Sequence, residues 1–224
     1  SFIQNIFYKD KLPIYKKMLS LYAKQKLMNN LQFPLNFQFK ITTFSNDFEV
    51  TDASNKTISY VRQKMFKFID EIDVYNNQNK SELIYKIRAN KWIDFSAAYS
   101  FTNKDGKHLG KVARKGWVSL WKAKYDVFDA NDQHKYVIRE RNAWVKFFDN
   151  AVGEIPVVGF FTGYILNPKF DVKDLSGNVM MTLTKKPSFF GRKFEVTKAG
   201  LKEMPEELLV LSLKMMVLLE RRKG

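Results

Sequence analysis

The chain has 224 residues with 38 Lys and Arg against 23 Asp and Glu, a net charge of +15, and this length is enough for one large domain with a buried core or for two small ones. It contains no cysteine, which excludes disulfides, thiolate nucleophiles and cysteine-ligated metals. The positive charge favours an anionic partner such as nucleic acid, lipid headgroups or an acidic protein, and the alternative is a solvated surface rich in lysine.

Residues 1–35 are predicted to form a helical extension that is separate from the remainder of the chain. Their opening sequence, SFIQNIFYKD, lacks the basic and apolar regions of a signal peptide. Pro13 suits the first position of a helix over 13–30, in which apolar residues recur at helical spacing: Ile14, Met18, Leu21 and Tyr22. Six Lys and one Asp occur in this extension. Two interpretations are open: the amphipathic helix lies on a membrane surface, or it docks against the rest of the protein.

A short repeated pattern occupies most of the remaining chain. Four copies align without gaps, FEVTDASNKTISYVRQK from Phe48, YSFTNKDGKHLGKVARK from Tyr99, YDVFDANDQHKYVIRER from Tyr125 and FDVKDLSGNVMMTLTKK from Phe170, and a looser fifth, IDVYNNQNKSELIYKIRAN, starts at Ile72. Each copy begins with alternating apolar and polar residues, as in a strand with one buried face. Each has Asp or Asn at its fifth position: Asp52, Asn76, Asn103, Asp129 and Asp174.

The Asp and Asn positions predict tight turns, because these side chains bond the local backbone and tolerate left-handed conformations. Gly, Asn, Asp or Ser follow within three residues, and a second strand then ends in basic residues. Acid/base chemistry at Asp52, Asp129 and Asp174 is the alternative, but identical positions in successive hairpins favour turns. The repeat therefore predicts five β-hairpins, with no linker between them that would separate two domains.

Three further segments add candidate strands. The segment NAWVKFFDNAVGEIPVVGFFTGYIL, 142–166, predicts another strand pair, because its Gly and Pro residues disfavour a helix. FPLNFQFKI before the first hairpin and FFGRKFEV after the last each predict a strand. About a dozen strands joined by short turns indicate a β-sandwich or a closed barrel.

The last segment predicts a hydrophobic helix over 205–223. Pro205 and the two glutamates after it suit the N-terminal end of a helix. The stretch from Leu208 to Leu219 is apolar except for Ser212 and Lys214. These residues rise roughly 18 Å in a helix, whereas a membrane span needs about 20 apolar residues. The helix is therefore too short to be a comfortable transmembrane anchor.

A helix that is apolar on most faces must be enclosed by the protein. A closed barrel of about twelve strands is too wide to be filled by its own side chains, and a helix through its lumen supplies the missing volume. The sequence therefore predicts a mainly β fold over 36–224, a closed antiparallel barrel of about twelve strands around a central helix. Lys214 then requires a carboxylate or carbonyl partner inside the barrel, or a position at its mouth.

The F-x-V-x-D hairpin openings, the segment GYILNPKFDVKDLSGNV at 163–179 and the terminal apolar helix resemble the tubby C-terminal-like superfamily, and within it the LURP-one-related and scramblase-like proteins. The resemblance covers residues 36–224 and implies a twelve-stranded barrel around a central C-terminal helix. It also implies a mostly non-enzymatic group, in which tubby proteins bind phosphoinositides and scramblases act at membranes. No lipid-contacting motif of tubby matches residue by residue, and KFEVTKAGLKEMPEE lacks the acidic calcium segment of scramblases.

Two segments interleave cations with aromatic residues and are the candidate sites for lipid or another anion. In KVARKGWVSLWKAKY, 111–125, the candidates are Lys111, Arg114, Lys115, Lys122 and Lys124 with Trp117 and Trp121. In KKPSFFGRKF, 185–194, they are Lys185, Lys186, Arg192 and Lys193 with Phe189 and Phe190. Such aromatics stack on nucleobases or lie at a membrane interface. The alternative is a strand with tryptophans in the core and lysines on the wet barrel wall.

No catalytic, metal or cofactor site is predicted. The two histidines, His108 and His134, lie in or near hairpin turns, and a His–carboxylate pair is the one catalytic arrangement that they allow. The sequence DANDQ at 129 lacks the Gly and terminal Glu of a calcium loop. No phosphate-binding Gly loop, Walker motif or nucleophile elbow occurs. An enzyme is therefore the least favoured class.

Three hypotheses remain for the function. The leading one is a non-catalytic barrel, cytoplasmic or peripheral at a membrane, whose basic surface binds anionic lipid headgroups. The second is a barrel that binds nucleic acid, and the third is a structural or carrier protein without an anionic ligand.

Overall fold

The computed structural model describes most residues between 31 and 221. The chain divides into two compact units, Ser1–Leu31 and Gln32–Gly224. The described residues are 31–40, 47–63, 71–89, 98–114, 124–141, 168–188, 193–200 and 203–221. The predicted helix over 13–30 and the predicted strand pair over 142–166 lie outside them. The domain boundary after residue 35 stays a prediction.

Twelve strands and one helix make up the described fold, and the strands close into one antiparallel barrel. The strands are β1 (Leu35–Phe39), β2 (Phe48–Thr51), β3 (Thr57–Gln63), β4 (Glu71–Tyr75), β5 (Leu83–Ala89), β6 (Ala98–Asn103), β7 (His108–Arg114), β8 (Lys124–Phe128), β9 (His134–Glu140), β10 (Lys169–Asp174), β11 (Val179–Lys186) and β12 (Lys193–Lys198), and the helix is α1 (Glu206–Arg221). Ten strands come from the five predicted hairpins, and β1 and β12 come from FPLNFQFKI and FFGRKFEV. The predicted closed barrel is confirmed.

Each strand pairs with its neighbours in sequence, and β1 pairs with β12 to complete the ring. All pairings are antiparallel, so successive connections between strands alternate between the two rims of the barrel. The turn rim consists of the strand ends that meet at the five hairpin turns. The loop rim consists of the opposite ends, where the other connections begin and end. The second strand of every hairpin therefore ends at the loop rim.

The five hairpin turns share an Asp or Asn side chain that accepts a backbone N–H bond across the turn, from four residues on in four turns and from six residues on in the longer β4–β5 turn. In the β8–β9 turn the Asp129 carboxylate accepts backbone N–H bonds from Asn131 at 2.9 Å and Gln133 at 3.0 Å, and Asp132 has a φ of 61°. Side-chain oxygens at the matching position accept backbone N–H bonds in the other four turns: Asp52, Asn76, Asn103 and Asp174. The repeated Asp and Asn residues are turn formers, as predicted.

Every hairpin also contains one register shift at the same place. Phe101 pairs with Gly110 whereas Thr102 pairs with His108, so Leu109 is an extra residue in β7. The same shift occurs in the other four hairpins. An extra residue of this kind bends a strand and increases its twist, and closure of a sheet into a barrel requires such curvature.

Alternate strand residues are buried and form an apolar interior. Phe37, Val61 and Ile87 are fully buried, and the ring of Phe48 stacks on that of Phe37 with centroids 5.6 Å apart. The high aromatic content of the chain is therefore used partly in cross-strand packing of β1 and β2.

Helix α1 is buried from Leu208 to Leu219 and packs against β6, β7 and β8. Its two ends are bonded to the wall: Glu206 accepts from Lys198 of β12 at 2.5 Å, and Glu220 accepts from Tyr125 of β8 at 2.6 Å. The predicted C-terminal helix is thus confirmed. Within the part of the chain that the structure describes, no helix combines the length and the apolar character that a membrane crossing requires.

The partner of Lys214 differs from the predicted one. Its Nζ donates to the hydroxyl of Ser59 on β3 at 2.7 Å, and among the described residues it has no carboxylate or carbonyl acceptor. Burial lowers the pKa of Lys214 to about 7, and a neutral amine can share a hydrogen bond with a hydroxyl. The prediction assumed a charged ammonium, which needs an acidic or carbonyl acceptor.

Candidate anion-binding site

The two rims of the barrel differ in charge. A charged residue is assigned to a rim if it occupies one of the two terminal positions of a strand there, or the position that adjoins the strand. By this definition the loop-rim cations are Lys40, Arg62, Arg88, Arg114, Lys124, Arg139, Arg141, Lys169, Lys185, Lys186 and Lys193. The acids found there by the same definition are Asp47, Glu49, Glu71 and Glu140. By the same definition the turn rim has a smaller excess of cations, since Lys56, Lys104, Lys107, Lys135, Lys173 and Lys198 stand against Asp52, Glu82, Asp129 and Asp174. The turns themselves add Lys80, Asp105 and Asp132. The described barrel is therefore electrically polarised along its axis.

The strongest concentration lies on the adjacent strands β8 to β12, on the outer side of the wall. We call its members the basic arc: Lys124, Arg139, Arg141, Lys169, Lys186 and Lys193. Lys124 lies directly opposite Arg139 across the β8–β9 pairing, and Lys186 lies directly opposite Lys193 across β11–β12. Like charges in directly opposed positions destabilise a sheet. An external anion between such cations would relieve this repulsion.

Three cations of the basic arc are held in place by carboxylates. Arg139 donates to Asp126 at 3.1 Å, and Lys186 lies 2.7 Å from Glu195. Arg141 donates through two nitrogens to both oxygens of Asp171, at 2.5 and 2.9 Å. Burial raises the pKa of Asp171, but the hydrogen bonds from Arg141 and Thr182 outweigh burial and hold that pKa below its usual value. These pairs fix the outline of the arc without neutralising it.

The other three cations of the arc, Lys124, Lys169 and Lys193, form no ion pair with any described residue. Lys169 and Lys193 are exposed, and Lys124 is partly exposed. Their ammonium groups can therefore contact an external anion without breaking an internal contact. Lys124 and Lys193 each stand beside a second cation that is itself paired with a carboxylate, so each of these two positions presents one uncompensated positive charge.

The structure brings together some of the predicted site residues and separates others. Lys124, Lys186 and Lys193 belong to the basic arc, although they come from two different predicted segments. Lys111 lies on the outer wall away from the rim, 2.9 Å from Asp132. Arg114 and Lys185 also reach the loop rim. Arg114 follows the buried Val112 by two residues, and Lys185 follows the buried Leu183 by two, so both lie on the inner face of the wall.

The remaining predicted site residues lie outside the described residues: Lys115, Trp117, Trp121, Lys122, Phe189, Phe190 and Arg192. The connections 115–123 and 189–192 that contain them join strand ends of the loop rim.

Arg139, Arg141 and Lys169 are functional candidates that the sequence patterns did not single out. The available signal was the basic ending of the second strand in each hairpin. In an antiparallel ring those endings all meet at one rim, and this follows only from the strand order.

His134 takes part in ring packing and polar contacts near the β8–β9 turn. His134 packs on the Phe128 ring with centroids 5.2 Å apart, and its Nε2 lies 3.1 Å from the Tyr136 carbonyl oxygen. The same nitrogen is 3.7 Å from Asp126, whose carboxylate accepts a bond from Arg139. No group of three or more His, Asp or Glu among the described residues could hold a metal ion.

Comparison with known proteins gives one match. The family model described as LURP-one-related matches residues 35–158, which is more than half of the chain and includes β1 to β9. No curated protein and no solved structure matches the chain significantly.

Proposed function

The chain belongs to the LURP-one-related family, within the tubby-like superfamily, and from this premise we propose that it is a non-catalytic module that binds anionic membranes. In this proposal the basic arc contacts the headgroups of a lipid surface, and binding requires neither a metal nor a cofactor. The protein then acts peripherally, on the cytoplasmic face of a membrane.

The opposed cations of the basic arc are the observation that supports this proposal most directly. Lys124 lies beside Arg139, and Lys193 lies beside Lys186. Arg139 and Lys186 are each held by a carboxylate, so Lys124 and Lys193 are the members of these pairs that remain available to an external anion. Neighbouring strands are about 4.8 Å apart, so cations along the rim can contact several headgroups at once. Each Lys or Arg near an anionic membrane contributes about 1 kcal/mol, which amounts to about 3 kcal/mol for the three cations without an ion pair.

The distribution of tryptophan gives independent support from the sequence. All four tryptophans, Trp92, Trp117, Trp121 and Trp144, occur in connections that begin and end at the loop rim. Tryptophan is enriched at membrane interfaces, where its ring lies at the level of the headgroups. Cations on the strand ends and tryptophans in the connections are the combination that an interfacial contact requires.

The proposal also gives α1 the role of a barrel core instead of a membrane anchor. Its residues Leu208–Leu219 are buried, and its side chains are bonded to β3, β8 and β12, which are well separated in the ring. These contacts with strands on different sides of the ring support a position of α1 in the lumen of the barrel. In this role α1 keeps the wall rigid and thereby holds the cations of the rim in place.

The test is sedimentation of the full chain with liposomes of phosphatidylcholine alone or with 30% anionic lipid, a trial composition of roughly physiological charge, across salt concentrations. Binding is expected with the anionic liposomes only, and it should weaken as salt rises because exposed charges are screened. A short DNA duplex is titrated in parallel under the same conditions.

Two triple variants match each other in charge. The rim variant replaces Lys124, Lys169 and Lys193 with Gln, and the control replaces three turn-rim lysines with Gln: Lys56, Lys80 and Lys107. Loss of about 3 kcal/mol predicts roughly a hundredfold weaker binding for the rim variant, and the control should bind nearly as the unmodified protein does. Equal loss in both variants would indicate only a response to net charge. Binding to DNA but not to liposomes would favour the nucleic-acid hypothesis, and binding to neither would favour a structural or carrier role.

A further inference from the structure

Lys214 is an ionisable residue in the middle of the most apolar element. It is 4% exposed, and its neighbours Leu213 and Met215 are buried as completely. Its Nζ contacts the hydroxyl of Ser59, which is itself 1% exposed. An ammonium has three donors to satisfy, and this hydroxyl is its one hydrogen-bond partner among the described residues. The site therefore suits a neutral amine better than a charged one.

The charged and titratable groups around Lys214 compensate a positive charge only weakly. The carboxylate of Glu207, two turns earlier on α1, attracts it, but Tyr85 of β5 hydrogen-bonds that carboxylate. The inward-facing titratable groups on the strands that contact α1 are Tyr85 of β5, Tyr99 of β6, Arg114 of β7, Tyr125 of β8 and Lys198 of β12, which bonds Glu206. The inward-facing residues of β3 are Ser59, Val61 and Gln63, none of which titrates. Among these described groups, no carboxylate forms a direct contact with Lys214.

We propose that the contact between Lys214 and Ser59 is a pH-sensitive lock on helix α1. When the amine is neutral, it and the hydroxyl satisfy each other, and α1 packs stably against the strands. When Lys214 takes up a proton, the helix carries a buried charge with a single neutral partner, and its packing is weakened. The lock is independent of lipid binding, because Lys214 is buried and lies on none of the rim positions.

The direction of the pH effect follows from linkage between proton binding and folding. Burial lowers the pKa of Lys214 from 10.5 to about 7. Between these two values the unfolded chain binds more protons than the folded protein, so stability rises with pH across this window. Below the folded-state pKa both states are protonated, and the cost of burying the charge is present in full. The helix is therefore least stably packed on the acid side of neutrality.

Equilibrium urea unfolding of the full chain at pH 6, 7, 8 and 9 tests the lock, with Lys214→Met as the variant that cannot titrate. From pH 7 to pH 9 the folding constant of the unmodified protein should rise about 50-fold more than that of the variant. The variant should also be the more stable protein at pH 6. As a control, Lys86→Met removes a lysine from the outer wall of β5 and should keep the unmodified slope. Parallel pH profiles for the unmodified protein and Lys214→Met would overturn the proposal.

A direct titration covers the case in which Lys214→Met fails to fold. NMR of the lysine side chains in the unmodified full chain should show one resonance with a midpoint near pH 7, as burial requires. That resonance should be absent or shifted in Ser59→Ala, in which the hydroxyl partner is removed. If every lysine titrates near its ordinary value, Lys214 remains charged in the folded protein and the lock does not exist.

Discussion

Gly110 lies in β7, a strand that packs against helix α1, and its substitution by alanine tests the packing of that helix. Its φ is +138°, in a region that side chains rarely adopt. A Cβ at this position would lie 2.4 Å from the Phe128 carbonyl oxygen and 2.8 Å from Cδ1 of Leu208. Carbon atoms do not approach each other this closely without displacement. Gly110→Ala must therefore displace the backbone near Phe128, and it must also displace the Leu208 side chain.

The expected loss of stability has two parts. An unfavourable φ costs about 1–3 kcal/mol, and an added methyl group in a well-packed interior costs about 1–3 kcal/mol. Gly110→Ala should therefore lower the free energy of unfolding by roughly 2–6 kcal/mol. For a urea slope of about 3 kcal/mol per molar, the midpoint falls by about 1–2 M, which urea unfolding followed by tryptophan fluorescence measures readily.

Gly177→Ala is the matched control, because Gly177 has a φ of +89° but no atom within 4 Å of the added Cβ. It carries the backbone cost alone, about 1–3 kcal/mol. In a Leu208→Ala background the additional cost of Gly110→Ala should shrink by about 1 kcal/mol, because one of the two close contacts is gone. If Gly110→Ala costs no more than Gly177→Ala, Leu208 does not pack against β7 and the placement of α1 is wrong.

Two further substitutions test the turns and the wall. Asp129→Ala removes the acceptor of two backbone N–H bonds and should cost about 1 kcal/mol in thermal unfolding, whereas Asp105→Ala, at a non-capping position of another turn, should cost much less. Arg141→Gln leaves the Asp171 carboxylate without its bidentate partner and should cost about 1–3 kcal/mol at pH 7. The pKa of Asp171 is lowered in the folded protein, so this contribution is present above the pKa of the unfolded carboxyl and is lost as pH falls through the folded value. A loss that is the same at pH 3 and pH 7 would contradict that assignment.

The hairpins could be predicted because their determinants are local. Asp129 bonds backbone groups two and four residues away, so the turn is encoded within one short window. The register shifts were not predicted, since an extra residue such as Leu109 is recognised only against the strand that it faces. The extra residue interrupts the alternation of apolar and polar residues in the second strand. Such an interruption cannot be distinguished from ordinary sequence variation by sequence alone.

The helix also shows that local sequence predicts an element but not its distant contacts. Its existence, its polar ends and its enclosure follow from composition and length, because a short apolar helix has few alternatives. The partner of Lys214 is 155 residues away in sequence, and no local pattern indicates which strand faces it. The expectation of a carboxylate or carbonyl partner came from the usual charge of lysine, and burial disfavours that charge.

The net charge is +15, but the sequence does not show where on the protein the cations gather; the strand order does. In sequence, Lys124, Lys169 and Lys193 are unrelated lysines at the starts of three strands. Antiparallel closure places every such start, and every basic ending of a second strand, at one rim. A uniformly solvated lysine surface would distribute cations over both rims and would avoid direct opposition, such as that of Lys186 and Lys193. Polarisation of the barrel and opposed cations together therefore favour an anionic surface over solubility as the reason for the charge.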